Sequence, residues 1–198
     1  MMDFQNLSPS SLDAVRQMAA SYLGNLDHTN QVTYLSLRIF DELMNLHDLG
    51  ETERFFLECG ALLHDIGWVQ GWKGHHKSSL QMILDNQLLP FDGKEKLLIG
   101  SIARYHRKAL PSLDHDHYAA LEPDEQVMVS KLAAILRIAD GLDRTHTKAV
   151  SDIRCIVSKK QVLFKCTVSH PASEEEKNAY GKSDLFEKVY KRKIAIKM

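Results

Sequence analysis

The 198-residue chain has little cysteine and no pattern in the little it has. Cys59, Cys155 and Cys166 are odd in number and share no Cys-x-x-Cys spacing. They read as buried thiols of a reducing cytosol, with a Cys155–Cys166 pairing across a hairpin as the alternative. Long apolar runs are missing too, and no uncharged stretch approaches transmembrane length. The opening Met1-Met2-Asp3-Phe4-Gln5-Asn6 lacks the basic and apolar regions of a secretory signal. The expectation is a cytoplasmic protein with no membrane association. There is no internal repeat and no low-complexity segment. Net charge is nearly absent, at −1, but unevenly spread. Residues 151–198 carry 11 Lys/Arg against 6 Asp/Glu, and residues 1–150 carry 14 against 20. That basic tail reads as a solvated face, or as local help in holding a polyanion. Nothing resembles a nucleic-acid footprint, so no nucleic acid is expected as a partner.

What the chain does have is an ordinary globular balance of 44% hydrophobic and 26% charged residues, and ten histidines. Its length suits one domain with room for a small appendage. Ser8-Pro9 opens a helix with Leu12, Val15, Met18, Ala19 and Tyr22 at helical spacing, ended by Gly24-Asn25. A second helix starts near Asp27 and places His28 at the head of an apolar face with Val32, Leu35 and Ile39, or else leaves it as a surface histidine. His47-Asp48-Leu49-Gly50 closes that helix, with His47 exposed. A third, from about Glu51, lines up Phe56, Gly60 and His64. Gly60 there admits a close neighbour, and Gly67 supplies the helix stop. Consecutive helical residues diverge by about 100°, so His64 and Asp65 can act together only if the helix is ending there.

Trp68 to Gly74 reads as a loop beside that pair, a lid or plain loop packing. His75-His76 starts a helix reaching about Leu88, with Leu80, Ile83 and Leu84 inward. After a turn at 89–93, Glu95, Leu98, Ile99, Ile102 and His106 share one face, with Arg104, Arg107 and Lys108 around the histidine. Asp114-His115-Asp116-His117 has metal-ligand residue types but reads as a flexible polar loop, because no apolar scaffold fixes it. From about Asp124 a long helix carries Val129, Leu132, Ala133, Leu136 and Asp140 on one face, with Asp143 and Arg144 one turn on. A bare carboxylate ending an apolar stripe costs several kcal/mol on burial, so Asp140 needs a cation or strong donors. After Val150 the pattern turns β-rich. Residues 151–157 and 161–168 form a hairpin about Ser158-Lys159-Lys160, residues 174–190 a helix, and 193–197 a returning strand.

His28, His64, Asp65, His75 or His76, His106 and Asp140 thus lie on separate segments, each at or near the end of an apolar stripe. Such positions are expensive for polar groups unless they converge on shared partners. Imidazole and carboxylate without thiolate suit one or two divalent ions of Mn, Fe, Ni, Zn or Mg better than a structural zinc site. If Asp65 bridges, His28, His64 and Asp140 hold one ion while His75 and His106 hold a second. Two ions about 3.5–4 Å apart activate water and clamp a phosphoryl oxygen. Arg107, Arg144 and Lys73 or Lys77 are then candidates to neutralise phosphate charge.

The order His28 … His64-Asp65 … His75-His76 … His106 … Asp140 resembles the HD phosphohydrolase superfamily. Closer still, the segments 61–67, 75–79, 105–108 and 137–146 look like the C-terminal HD domain of the exopolyphosphatase / guanosine pentaphosphate phosphohydrolase family. The likeness spans roughly residues 8–198. It implies a mainly α fold, an HD-domain helical bundle over 1–150 with a small C-terminal α/β appendage over 151–198, cytoplasmic and often dimeric. In HD enzymes with two metals, a histidine four residues ahead of a small residue supplies the extra ligand. His75 with Ser79 fits that spacing, and His76 is the alternative. In the longer family members an N-terminal actin-like ATPase-fold module carries catalysis, while the HD module helps bind polyphosphate or nucleotide. This chain shows no such module and retains a full set of candidate ligands. The leading expectation is therefore a metal-dependent phosphohydrolase with Asp65, Arg107 and Arg144 in catalytic roles, taking a phosphorylated small molecule or polyphosphate. The other is a regulatory module, its tail residues Lys188, Lys191, Arg192 and Lys193 binding polyphosphate or a guanosine alarmone beside a separate catalytic partner.

Overall fold

A computed structural model describes residues 6–198, so the hexapeptide read for a secretory signal lies, apart from Asn6, outside the described residues. The helical body runs α1 (Pro9–Tyr22), α2 (Asp27–Glu42), α3 (Met44–His47), α4 (Glu51–Leu63), a 3-10 turn (Ile66–Gln70), α5 (His75–Asp85), α6 (Gly93–Arg104), α7 (Asp116–Ala119) and α8 (Pro123–Gly141). The starts follow local chemistry. Ser8 caps α1 by accepting from the Ser11 amide, with Pro9 at the first position. Asp92 and Glu95 form a reciprocal capping box at α6. Helices α2, α4, α6 and α8 pack around Leu35, Ile39, Phe56, Leu98, Ile102 and Leu132, all removed from solvent. Gly60 supplies the expected close approach, since a Cβ there would lie 2.7 Å from the Ile102 side chain on α6.

Strands β1 (Val150–Val157) and β2 (Gln161–Val168) pair antiparallel, and β3 (Lys193–Lys197) joins the other edge of β2 in parallel. A parallel pair needs a crossover rather than a tight turn. Here the crossover is α9 (Ser173–Gly181) and α10 (Asp184–Tyr190), both packed on α8. Strand β1 lies against α2. Ile153, Val162, Phe164 and Ile194 from the sheet belong to the same apolar cluster as the helical body. The three cysteines are free thiols.

Five local expectations are corrected. His47 is buried: α2 ends at Glu42, the chain turns into α3, and the His47 Nε2 lies 2.8 Å from the Phe40 carbonyl with its ring on Phe40. Gly67 does not stop a helix in a left-handed conformation, because the chain continues directly into the 3-10 turn. Its need for no side chain is steric, since a Cβ would stand 2.1 Å from the His75 carbonyl oxygen and 2.6 Å from the Ser79 nitrogen. Helix α5 ends at Asp85, three residues short of Leu88. The 111–123 segment is no featureless loop: it holds α7, buries Tyr118 and Leu121, and has His115 Nδ1 2.8 Å from the Tyr105 hydroxyl. The single helix expected over 174–190 is two, broken at Lys182-Ser183.

The contact at Gly67 makes a sharp test. Gly67→Ala should cost about 3 kcal/mol by forcing α5 away from the turn. Gly93→Ala, where nothing lies within 4 Å of the added Cβ, should stay within about 0.5 kcal/mol. Urea denaturation midpoints of the two variants check the contrast.

Candidate metal centre

Helix α4 delivers His64 at its C-cap, and Asp65 leaves helical geometry at φ −111°, ψ 4°. That break brings two adjacent side chains to one point. Ser79 locks it from α5, its hydroxyl donating to the His64 carbonyl at 2.8 Å and accepting the Gly67 amide at 2.9 Å. The small residue four positions after His75 therefore has a mechanical role. Gly71 and Gly74 take positive φ, 112° and 85°, to turn the chain from Trp68 and Trp72 into α5.

Asp65 is the hub. Its Oδ2 lies 3.5 Å from His64 Nε2 and 3.9 Å from His28 Nε2, while its Oδ1 lies 3.1 Å from His75 Nε2 and 3.5 Å from His106 Nε2. His28, His64 and Asp65 form one group able to hold an ion; Asp65, His75 and His106 form a second. Asp140, from the last turn of α8, places Oδ1 3.5 Å from His28 Nε2, and its Oδ2 pairs with Lys182. A carboxylate at a helix C-terminus also opposes the helix dipole, which adds to its demand for positive charge.

The other ring nitrogens explain the orientation. His64 Nδ1 lies 2.7 Å from the Ala61 carbonyl, His106 Nδ1 2.7 Å from Ala103, and His75 Nδ1 3.0 Å from Trp72, each three residues back. His28 Nδ1 meets the buried Asp143 carboxylate at 2.8 Å. A carbonyl only accepts, so the Nδ1 atoms of His64, His75 and His106 carry protons, and Nε2 is the atom each ring turns to the centre. Bare Nε2 atoms facing carboxylate oxygens are acceptors facing acceptors. Either a proton on the ring or a bound cation relieves that repulsion. His64 Nε2 and Asp65 Oδ1 are in fact buried without a hydrogen-bond partner. Ligand atoms about 2.0–2.1 Å from an ion stand roughly 3–3.4 Å apart, close to these separations. The residues present fit a divalent cation.

The side chains of the centre also balance one another's charge. Burial alone would raise Asp65, yet His64, His75 and His106 hold it below the usual carboxylate range. Burial likewise opposes ionisation of Asp140, but Lys182 and His28 keep it well below its ordinary value. Burial would lower His28, and hydrogen bonds to Asp140 and Asp143 overcome it and lift the imidazole to about 9. His106 is pushed well down by burial, with His64 adding to the effect.

A cleft of about 830 Å³ opens above the centre, with Arg107, Lys108, Arg137, Arg144, Lys177 and Lys182 among its lining. Arg107 and Arg144 are both at the cleft, as the sequence suggested, whereas Lys73 and Lys77 do not line it. The Arg107 guanidinium lies 4.9 Å over the Trp72 ring and 3.4 Å from His75 Nε2. Trp68 stacks on His75 with ring centroids 5.2 Å apart, so both half-exposed tryptophans form one wall. Of the tail cations singled out in the sequence, Lys188, Lys191, Arg192 and Lys193 are not at the cleft, and Lys193 pairs with Glu187 instead.

His75 joins the second group and His76 joins neither. The His76 ring packs edge-on to His75, and burial together with the neighbouring Arg104 pushes it down to about 4. Sequence reading placed Asp143 beyond Asp140 without giving it a role, and it assigned none to Lys177, Lys182, Arg137 or His146. His146, in the left-handed region at φ 58°, stacks on His28 with centroids 3.8 Å apart. A carboxylate three residues beyond Asp140 was the available signal for Asp143. The carbonyls three residues before His64, His75 and His106 carried none.

The match to known proteins bears on the same region. The family described as Ppx/GppA phosphatase, domain III, matches residues 12–188, and the chain belongs to that family. It is similar to the guanosine-5'-triphosphate,3'-diphosphate pyrophosphatase of Vibrio vulnificus (strain YJ016), with 29% identity over 126 residues. Those residues are 62% of this chain and 25% of that protein, so the chain spans about a quarter of its relative's length. Among the described residues no helix is long and apolar enough to cross a membrane.

Two outcomes follow. Asp143→Asn should weaken Mn²⁺ affinity about 10–100-fold by disturbing the His28 tautomer, read by competition with a chelating dye. His76 and His117, both held near 4 by burial and Arg104, bind fewer protons folded than unfolded between that value and 6.5. Their contribution is intact above pH about 6.5 and lost as pH falls toward about 4. Urea midpoints of the metal-free protein should drop across that window, and less so in His76→Gln.

Proposed function

We propose that this chain is a metal-dependent phosphohydrolase of the HD type. In this reading one or two divalent ions are held by His28, His64, Asp65, His75, His106 and Asp140. The substrate is a phosphate ester or phosphoanhydride of a nucleotide, alarmone or polyphosphate. The observation that carries it is the sharing of one carboxylate, Asp65, between two triads of inward-facing Nε2 atoms, with His64 Nε2 and Asp65 Oδ1 buried and unpartnered. Membership of a phosphatase domain family supports the same chemistry.

When bound, such ions activate water and polarise a phosphoryl oxygen. The chain's own residues do the rest. Carbonyls of Ala61, Trp72 and Ala103 hold the Nδ1 protons and keep Nε2 free. Arg107 and Arg144 meet the negative charge of the substrate, which charge-assisted hydrogen bonds recognise well. Trp68 and Trp72 screen water from one side of the reacting group. Arg137 is not free to bind substrate, because its guanidinium is spent on the Tyr105, Lys108 and Lys182 carbonyls and on Asp184.

One fact favours a second reading. The matched family is a single domain, and the chain covers a quarter of its relative, so a binding module serving a separate catalytic unit also accounts for the cationic cleft. Phosphate release over a nucleotide and polyphosphate panel with Mn²⁺ separates the two. The enzyme reading expects metal-dependent turnover that falls by about 10³-fold or more in Asp65→Ala, since loss of metal catalysis removes several kcal/mol of barrier lowering. Binding without turnover, in a protein that holds Mn²⁺, supports the module instead.

A further inference from the structure

Lys182 lies 42 positions after Asp140, yet its ammonium sits directly on the Asp140 carboxylate. The approach is built, not incidental. Gly141, next to Asp140, lets α9 come so close that a Cβ would stand 2.7 Å from the Ala179 Cα. Arg137, one turn earlier on α8, is buried and bonds both the Lys182 carbonyl and the Asp184 carboxylate, at 3.4 and 2.7 Å. The backbone at Lys182 is therefore pinned above the centre from two sides. The side chain is not pinned. It is 21% exposed, lines the cleft, and has Asp140 as its partner.

That partner is the difficulty. Asp140 Oδ1 faces His28 Nε2 across 3.5 Å, so the carboxylate is a ligand candidate for the first ion as well. A divalent cation beside Asp140 repels an ammonium on the same carboxylate, and a flexible four-carbon stem lets that ammonium leave. The cleft it would enter holds Arg107, Arg144 and Lys177, which suits an arriving anion and not a free lysine.

We propose that Lys182 is a substrate-binding residue that trades Asp140 for a phosphate oxygen of the substrate when the centre is loaded. Before loading it stands in for the ion and keeps the carboxylate balanced. After loading it caps the anion opposite the metal ligands. The inference rests on the metal-centre reading above.

The two halves of the exchange give effects of opposite sign. Lys182→Met should bind Mn²⁺ about three-fold tighter or more, because the competing ammonium is gone. Orthophosphate binding to the Mn²⁺-loaded variant should weaken about ten-fold or more through loss of a charge-assisted hydrogen bond. Lys182→Arg should recover part of the phosphate affinity. Weaker binding of both probes marks a merely structural lysine and overturns the proposal, as does unchanged phosphate affinity. Should the variant fail to fold, acylation of Lys182 in the wild-type protein, followed by mass spectrometry, gives an independent reading. Its rate should rise on Mn²⁺ addition and fall again with orthophosphate, and a rate indifferent to Mn²⁺ overturns the exchange. If the wild type does not bind Mn²⁺ at all, the metal-centre reading fails and this proposal with it. If Mn²⁺ binds through Asp65 but Lys182 does not respond, this proposal alone fails.

Discussion

One carboxylate faced by four imidazoles sets the terms for the rest of this structure. Asp65 can occupy that position only because α4 stops at His64 and the chain kinks before the next turn. Each imidazole around it has its outer nitrogen committed to a carbonyl or to Asp143, so the inner nitrogens cannot turn away. A polar pocket of this kind would unfold its own surroundings if left uncompensated, because buried acceptors aimed at each other are worse than none. The helical bundle supplies rigid ends, and opposite charges are balanced at their meeting point.

The charges are also layered. Asp65 and Asp140 form the floor, with Asp143 buried behind His28, and arginines and lysines line the cleft around them. A bare floor repels the anion that the rim attracts. In the proposed function a cation at the floor would remove the conflict, and cation and anion binding would then be linked, each raising the affinity for the other. A polyanion held at the rim alone would sit over like charge.

Much of this was legible in the sequence where a single element carried the signal. The helices around Val32, Phe56, Leu98 and Leu132 announced themselves by apolar spacing, and the stripes pointed at His28, His64 and Asp140 because each polar residue closed an otherwise apolar line. The hairpin and returning strand were readable from β-rich runs about a polar turn. What stayed hidden depended on tertiary contacts. His47 looks like a solvated helix end until Phe40 is seen to cover it. Gly67 looks like a stop signal, but its real neighbour is the His75 carbonyl. The basic excess of the tail was visible, but which lysines reach the cleft depends on how α9 docks, and that is fixed by Gly141 meeting Ala179. Asp143 and His146 escaped because a second layer around a ligand has no periodicity to betray it.

The parallel pairing of β2 with β3 has one more consequence. Two strands running the same way cannot be joined by a hairpin, so the chain has to make a detour between Val168 and Lys193. That detour bears Lys177 and Lys182, while every histidine and aspartate of the hub lies before it. In the proposed reading, part of the anion-binding charge thereby sits on a different stretch of polypeptide from the metal ligands. Substitutions at Lys177 would then retune which anion is welcomed without touching a ligand, whereas Lys182 answers to Asp140 as well.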